Sequence, residues 1–379
     1  MRRTLPALLG FLAIGLAACT HARPATRITL PDGRSRPASK FELQVIREFV
    51  RQVEAKTRAE SLGACLAAHS PLMELAISGG GSQGAWAAGF LRGWSESGTR
   101  PRFGIVTGVS AGAILAVFAF LGPEHDAAME RAYTEVRKRD VMRERPTMFV
   151  PFYTAVASSE PLRTRLERLV TPEIISRVAD EGDLGRRLYI GTVNLDLGTF
   201  RAWDLTAEAG PRTPASYRRC IDVLMASMAV GVLYPPVFID GAMHGDGGAR
   251  RHVFAVLPES ETPAAEAVSP GSAAPPTTYV LVNVRPAVAT RLVPNSIIDI
   301  GARNVELLAD EALHGSLARI ERDARRAGME FRLATIPAGA CMDASAGSMI
   351  EFNAATLRCL YDQGVKDGLA RAWIERAPD

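Results

Sequence analysis

Gly108-Val109-Ser110-Ala111-Gly112 lies between an apolar strand pattern, Phe103 to Thr107, and an apolar helix pattern, Ala111 to Leu121. A serine in that context can serve as a nucleophile. The flanking glycines permit a tight strand-to-helix turn, which presents Ser110 Oγ at a helix N-terminus, where the dipole favours developing negative charge. Upstream, Gly79-Gly80-Gly81-Ser82-Gln83-Gly84 also follows a strand pattern and opens a helix. Its bare N–H groups suit a phosphate or an oxyanion. A nucleotide P-loop needs Lys-Ser/Thr after the glycines, whereas Ala85-Trp86 follow here. A dinucleotide loop is disfavoured too, because a serine motif follows it instead of a ribose-binding acid. Acyl transfer needs donors where a carbonyl oxygen turns negative, each typically worth ~3 kcal/mol, so an oxyanion hole is the better reading of Gly79, Gly80 and Gly81.

The third element is Phe238-Ile239-Asp240-Gly241-Ala242-Met243-His244-Gly245-Asp246-Gly247-Gly248. Two carboxylates compete there for the role of base. Asp240-Gly241 suits the bend of a hairpin, which leaves Asp246 at the end of the second strand and makes it the preferred base for Ser110. His244, two residues earlier, points to the same side of a regular strand and is expected to be a partly exposed structural histidine. Far downstream, His314 falls inside a long helical pattern and makes a poor base for a Ser-Asp-His triad.

In order and context these three elements resemble the patatin-like phospholipase family over roughly Leu72 to His252, with Pro235-Pro236-Val237 similar to the family's lead-in to its aspartate. The resemblance implies a three-layer α/β/α fold, its sheet mostly parallel and carrying a nucleophile elbow. It implies Ser110 as nucleophile, Asp246 as base in a dyad without histidine, and Gly79, Gly80 and Gly81 as the oxyanion hole. No metal or organic cofactor is implied, and the implied substrate is a lipid or phospholipid acyl ester. One departure stands out: the family often carries arginine where this chain has Gln83. The competing readings are an α/β-hydrolase-type esterase with a triad and a catalytically idle lipid-binding lipoprotein.

The elements around these motifs alternate between strand and helix, which predicts a mostly parallel sheet covered on both faces. Strands are expected at Leu72 to Ser78, Leu188 to Asn194, Thr199 to Trp203, Thr278 to Val284 and Met329 to Ile336. Helices are expected from the glycine loop to Trp94, at Asp126 to Lys138, Pro161 to Val170, Tyr217 to Ala229 and Ser296 to Ala327, with closing helices in Thr356 to Glu375. Pro258 to Pro276 is too poor in apolar residues for a core and reads as a disordered insertion, 258–276, in a hydrolase domain spanning 40–379.

Residues 1–18 combine a basic start with an apolar run shorter than the ~20 residues of a membrane span, the pattern of a signal peptide. Leu16-Ala17-Ala18-Cys19 resembles a bacterial lipobox, which implies lipidation at Cys19 and a lipidated tether over 19–39. Thr20 follows the cysteine, so the resemblance points to the outer membrane, facing the periplasm. Val45, Ile46, Phe49, Val50 and Val53 recur at helical spacing, as in an amphipathic helix packed on the body. The remaining cysteines are Cys65, Cys220, Cys341 and Cys359, for which Cys341–Cys359 and Cys65–Cys220 are the favoured pairs. None has metal-site spacing. A net charge of +3 over 379 residues leaves no electrostatic footprint for nucleic acid, and Arg186-Arg187 and Arg250-Arg251 read as solvated surface.

Overall fold

The computed structural model describes residues 72–146, 153–257, 275–285, 290–341 and 352–377, with positions 288 and 350 and a few between 27 and 48. Five strands run parallel in the order β8 (Glu330–Thr335), β7 (Thr277–Val282), β1 (Met73–Ile77), β2 (Ile105–Val109) and β3 (Arg187–Asn194). Antiparallel strands complete the eight-stranded sheet: β4 (Thr199–Asp204) pairs with β3, and the hairpin β5 (Val237–Ile239) and β6 (Ala242–Asp246) joins β3 through β6. The sheet is therefore mixed and mostly parallel.

Alternation along the strands divides the core into two layers. Leu75, Ile77 and Val106 pack into the larger cluster, under helices α1 (Gly84–Glu96), α2 (Ala111–Leu121), α3 (Asp126–Thr134), α7 (Pro214–Ser227) and α9 (Ala354–Ala370). Ala76, Ile105 and Val109 face the other way, towards Leu313, Leu317, Ile320 and Ala324 of the long helix α8 (Ile297–Arg326). Two buried faces are what a parallel sheet requires, and the result is an α/β/α sandwich. Helices α1 and α9 touch backbone to backbone: a Cβ on Gly93 would lie 2.1 Å from the Val365 carbonyl, and one on Gly368 2.1 Å from that of Phe90.

Every residue of α2 is buried, so its last carbonyls cannot turn to water. Two arginines take that place. Arg100 donates to the Ala119 carbonyl at 3.1 Å, and Arg186 donates to Phe120 O at 2.5 Å, to Phe103 O at 2.7 Å and to Glu181 at 2.8 Å. Cations at a helix C-terminus also complement its dipole. Arg186 is thus a buried structural residue, contrary to the reading of it as solvated surface; isolated from the fold, a dibasic pair carries no sign of the carbonyls it will meet. Its neighbour Arg187 is half-buried on Gly182 O, Arg250 caps Gly198 O from the surface, and Arg251 lies over the Phe200 ring.

Two helices escape the periodicity analysis, α5 (Pro172–Asp183) and the short α6 (Leu205–Ala209). Thr171 caps α5 and Pro172 occupies its first turn, a start signal legible in the sequence. Helix α4 (Glu160–Leu169) lies within a residue of expectation, whereas the helix from Asp126 ends at Thr134 and a separate turn follows at Lys138–Val141. The signal segment, Cys19, Cys65, most of the 45–53 pattern and nearly all of the 258–276 insertion lie outside the described residues. Within the stretch read as a tether, Arg27–Thr29 and Ser35–Pro37 form a small antiparallel ladder.

Cys341 and Cys359 form a disulfide across 18 residues, while Cys220 is free and buried in α7. Burial pushes the Cys220 thiol up to about 12, which suppresses the reactive thiolate. Replacing Cys341 and Cys359 by serine is expected to cost about 3 kcal/mol, the closure entropy of a loop of this size, read as a lower denaturant midpoint. The same double variant should leave Cys220 unmodified by thiol reagents until the protein unfolds.

Candidate active site

The site is created by a competition for one edge of β3. Along Tyr189 to Asn194, β4 occupies one edge of that strand, so every other partner must use the opposite edge. Parallel β2 takes the first part, with Val109 opposite Gly191. Antiparallel β6 takes the rest, with Asp246 opposite Thr192. The two strands run towards each other and stop at adjacent register positions, which brings Ser110 and Asp246 together although 136 positions separate them in sequence.

Ser110 leaves β2 with φ 55° and ψ −127°, a conformation that side chains rarely adopt, and α2 begins at the next residue. The turn has no room for larger neighbours. A Cβ on Gly108 would lie 2.4 Å from the Gly112 carbonyl, and one on Gly112 would lie 2.4 Å from that of Ser78. Ser227, at the end of α7, accepts the Ser110 N–H at 2.9 Å and donates to Gly191 O at 2.7 Å, fixing the elbow to β3.

The Asp246 carboxylate accepts the Gly248 N–H at 2.7 Å, and the Ser110 side chain beside it favours its charged form. Burial pushes its pKa up to about 6, and the Ser110 side chain and the Gly248 N–H resist the shift by favouring the charged form. Asp240 has a different place. With Gly241 it forms the two-residue hairpin bend, both residues at positive φ, and its carboxylate makes a forked pair with Arg219 at 2.7 and 2.8 Å. That guanidinium holds Asp240 below the usual carboxylate range and keeps it at the surface.

Residues 75–257 match the family model Patatin, described as patatin-like phospholipase. The chain carries a patatin-like phospholipase domain. Among solved structures it is similar to VipD from Legionella pneumophila, at 12% identity over 80% of this chain and 67% of VipD, with a TM-score of 0.38. No curated protein matches it.

In this patatin-like domain the glycine loop lies beside the elbow. A Cβ on Gly79 would stand 3.2 Å from Ser110 Cβ, and Gly80, at φ 152°, presses on Asn283, whose carbonyl would be 2.4 Å from a Cβ there. The three glycines are not equivalent. Gly79 N–H donates to the His252 carbonyl at 3.1 Å, so it is engaged within the fold, and among the described residues no acceptor faces the N–H groups of Gly80 and Gly81. Gln83 is buried at the start of α1.

His244 is fully buried, contrary to the expectation of partial exposure: β6 is an interior strand, and the ring packs on Trp203 with Nδ1 3.1 Å from Thr192 Oγ1. His314 sits within α8, its Nδ1 donating to the Asp310 carbonyl one turn earlier at 3.0 Å. His252, six residues beyond Asp246 and absent from the sequence-based candidates, lies beside the two glycine turns that adjoin the dyad, its Cε1 3.5 Å from a Cβ placed on Gly79 and its Cδ2 3.9 Å from one on Gly248. The only local signal for it was its nearness to the Asp246-Gly247-Gly248 turn. Among the described residues no cluster of three metal-ligating side chains occurs, and no helix is long and apolar enough to cross a membrane.

Proposed function

We propose that this domain hydrolyses lipid carboxylic esters through a Ser110–Asp246 dyad and an acyl-enzyme. The match to the family points to lipid acyl hydrolysis, and the observation that carries the finer reading is a buried carboxylate brought beside a serine on a strained strand-to-helix turn. Asp246 takes the Ser110 proton as Oγ attacks the ester carbonyl. The developing oxyanion lies at the glycine loop, where Gly80 and Gly81 supply N–H donors and Gly79 orders the loop through His252. Asp246 then delivers the proton to the departing alcohol oxygen, leaving the acyl group on Ser110. Water cleaves that ester in the second half-reaction and returns the proton to Oγ. An aspartate at its ordinary value near 4 is a weak base at neutral pH, whereas one pushed up to about 6 is better matched to the task.

A lipid substrate calls for contact with a lipid surface. Helix α8 packs against the Gly247–Ala249 turn, while its first half, beyond the body, exposes Ile297, Val305 and Leu308. An apolar surface on the helix that packs against the Asp246 turn favours a lipid esterase over a triad esterase of soluble esters. Lipidation at Cys19 would hold the chain on the periplasmic side of the outer membrane and spare it a search through bulk water.

A fluorophosphonate probe, followed by peptide mass spectrometry, tests the reading. The adduct is expected on Ser110 and is expected to vanish in Asp246→Asn. A folded protein that takes no label, or takes it elsewhere, would overturn the dyad and favour the idle lipoprotein.

A further inference from the structure

After the Asp246-Gly247-Gly248 turn the chain runs over one face of β1 and β2 beneath α8, from their C-terminal end back towards the start of β1. Three contacts fix the crossing: Gly79 N–H on the His252 carbonyl at 3.1 Å, Thr107 Oγ1 on the Phe254 carbonyl, and Val256 N–H on the buried Glu74 carboxyl at 2.6 Å. His252 is held by this crossing rather than by its own side chain. It is 7% exposed, and no side chain among the described residues hydrogen-bonds its ring, whose Nδ1 is buried without a partner.

The orientation of the ring follows from its two glycine neighbours. A Cβ on Gly79 would lie 3.5 Å from His252 Cε1 and 3.2 Å from Ser110 Cβ. A Cβ on Gly248 would lie 3.9 Å from His252 Cδ2 and 3.0 Å from Asp246 Oδ1. In an imidazole, Nε2 is bonded to both Cε1 and Cδ2, so the ring edge that carries it runs along the two glycine turns that adjoin Ser110 and Asp246. Burial holds the ring's pKa down to about 4, which keeps it uncharged at neutral pH, with one nitrogen free to accept.

We propose that His252 Nε2 is a third catalytic group of this site, one that holds the hydrolytic water in line with the acyl carbon during deacylation. The proposal rests on the acyl-enzyme reading above. In the step, the water donates one O–H to His252 Nε2 and the other to the Asp246 carboxylate. Its oxygen forms a bond to the acyl carbon as Asp246 takes the second proton. The carbon–Oγ bond then breaks, the proton passes from Asp246 to Ser110 Oγ, and a carboxylic acid leaves. His252 orients the water and gains no proton. Acylation does not involve that water, so the two half-reactions should respond differently to loss of the ring.

The test compares the full chain with its His252→Ala and His252→Gln variants in two assays: the rate of Ser110 labelling by a fluorophosphonate, and pre-steady-state hydrolysis of a p-nitrophenyl ester. In His252→Ala the labelling rate is expected to match the parent, with a stoichiometric burst of nitrophenol followed by turnover roughly 10²-fold slower, the cost of a misplaced reactant. Intact mass should then show the acyl group retained on Ser110. His252→Gln, which keeps an acceptor amide, should recover part of the turnover. Labelling and turnover that fall together would make His252 a purely structural prop and overturn the proposal, as would unchanged turnover without a burst. If the parent chain itself takes no label at Ser110, the dyad fails and this proposal fails with it.

Discussion

Ser110→Gly and Ser110→Ala are both expected to lose ester turnover by about 10⁴-fold or more, as when a nucleophile is removed from a unit that works as a whole. Their stabilities should nevertheless differ. Both variants delete the hydroxyl beside Asp246, so their difference isolates the backbone at φ 55°, ψ −127°. A residue with a Cβ pays about 1–3 kcal/mol to stay in such a region, and glycine pays nothing there. Against this, glycine gives up ~0.5–1 kcal/mol more chain entropy on folding. The balance leaves Ser110→Gly more stable than Ser110→Ala by on the order of 1 kcal/mol, the reverse of the usual order beside a helix. Urea titrations of the two inactive variants measure it, and an alanine variant as stable as the glycine one would mean that the elbow stores no strain.

Asp246→Asn is expected to lower turnover by about 10²–10⁴-fold, the usual worth of a positioned base. The pH dependence gives the sharper test. In the parent enzyme kcat/KM should climb as pH rises to about 6, where Asp246 ionises, and level off above it. The variant should lack that limb. Stability should move in the opposite direction. A carboxyl whose pKa is raised from 3.8 to about 6 by burial binds its proton more tightly folded than unfolded. Between those values the folded state carries more protons, so stability falls as pH rises and the full penalty is present above pH 6. A shift of that size corresponds to about 3 kcal/mol. Asparagine retains an acceptor for Gly248 N–H and offers a donor to Ser110, without the charge. The variant should therefore be the more stable protein at pH 8, with the gap closing towards pH 4. The difference between the two proteins matters because Glu74, buried and pushed up to about 7, adds a similar slope to both. A gap that stays constant with pH would place the charge elsewhere.

Local chemistry made much of this architecture legible. The helix expected from Ala111 to Leu121 has those ends in the structure, because an unbroken apolar run bounded by Ser110 and Gly122 leaves no other register. The hairpin bend at Asp240-Gly241 was readable for a comparable reason: two consecutive positive φ angles favour residues of those types. Strand and helix periodicity gave the alternating order, and right-handed crossovers then leave few topologies for a parallel sheet. Helix α5 also carries a strong local start signal, the Thr171 cap followed by Pro172, so its position is written in adjacent residues as well.

By itself, then, the sequence determined the elements, the elbow that carries Ser110, and the family in which a serine and an aspartate stand in this order. It could not determine which groups would meet. Asp246 reaches Ser110 because β4 fills one edge of β3 and leaves β2 and β6 to share the other. Gly79 loses its N–H to a carbonyl far along the chain, and Arg186 is buried on the end of a helix that precedes it by some sixty-five residues. His252 comes beside the Gly79 and Gly248 turns because the chain around it is held on β1 and β2. Periodicity, turn preference and capping act over a few residues and are written in adjacent letters. Edge sharing, carbonyl capping and ring orientation depend on which surfaces are already occupied, and that is decided only when the whole sheet has been assembled.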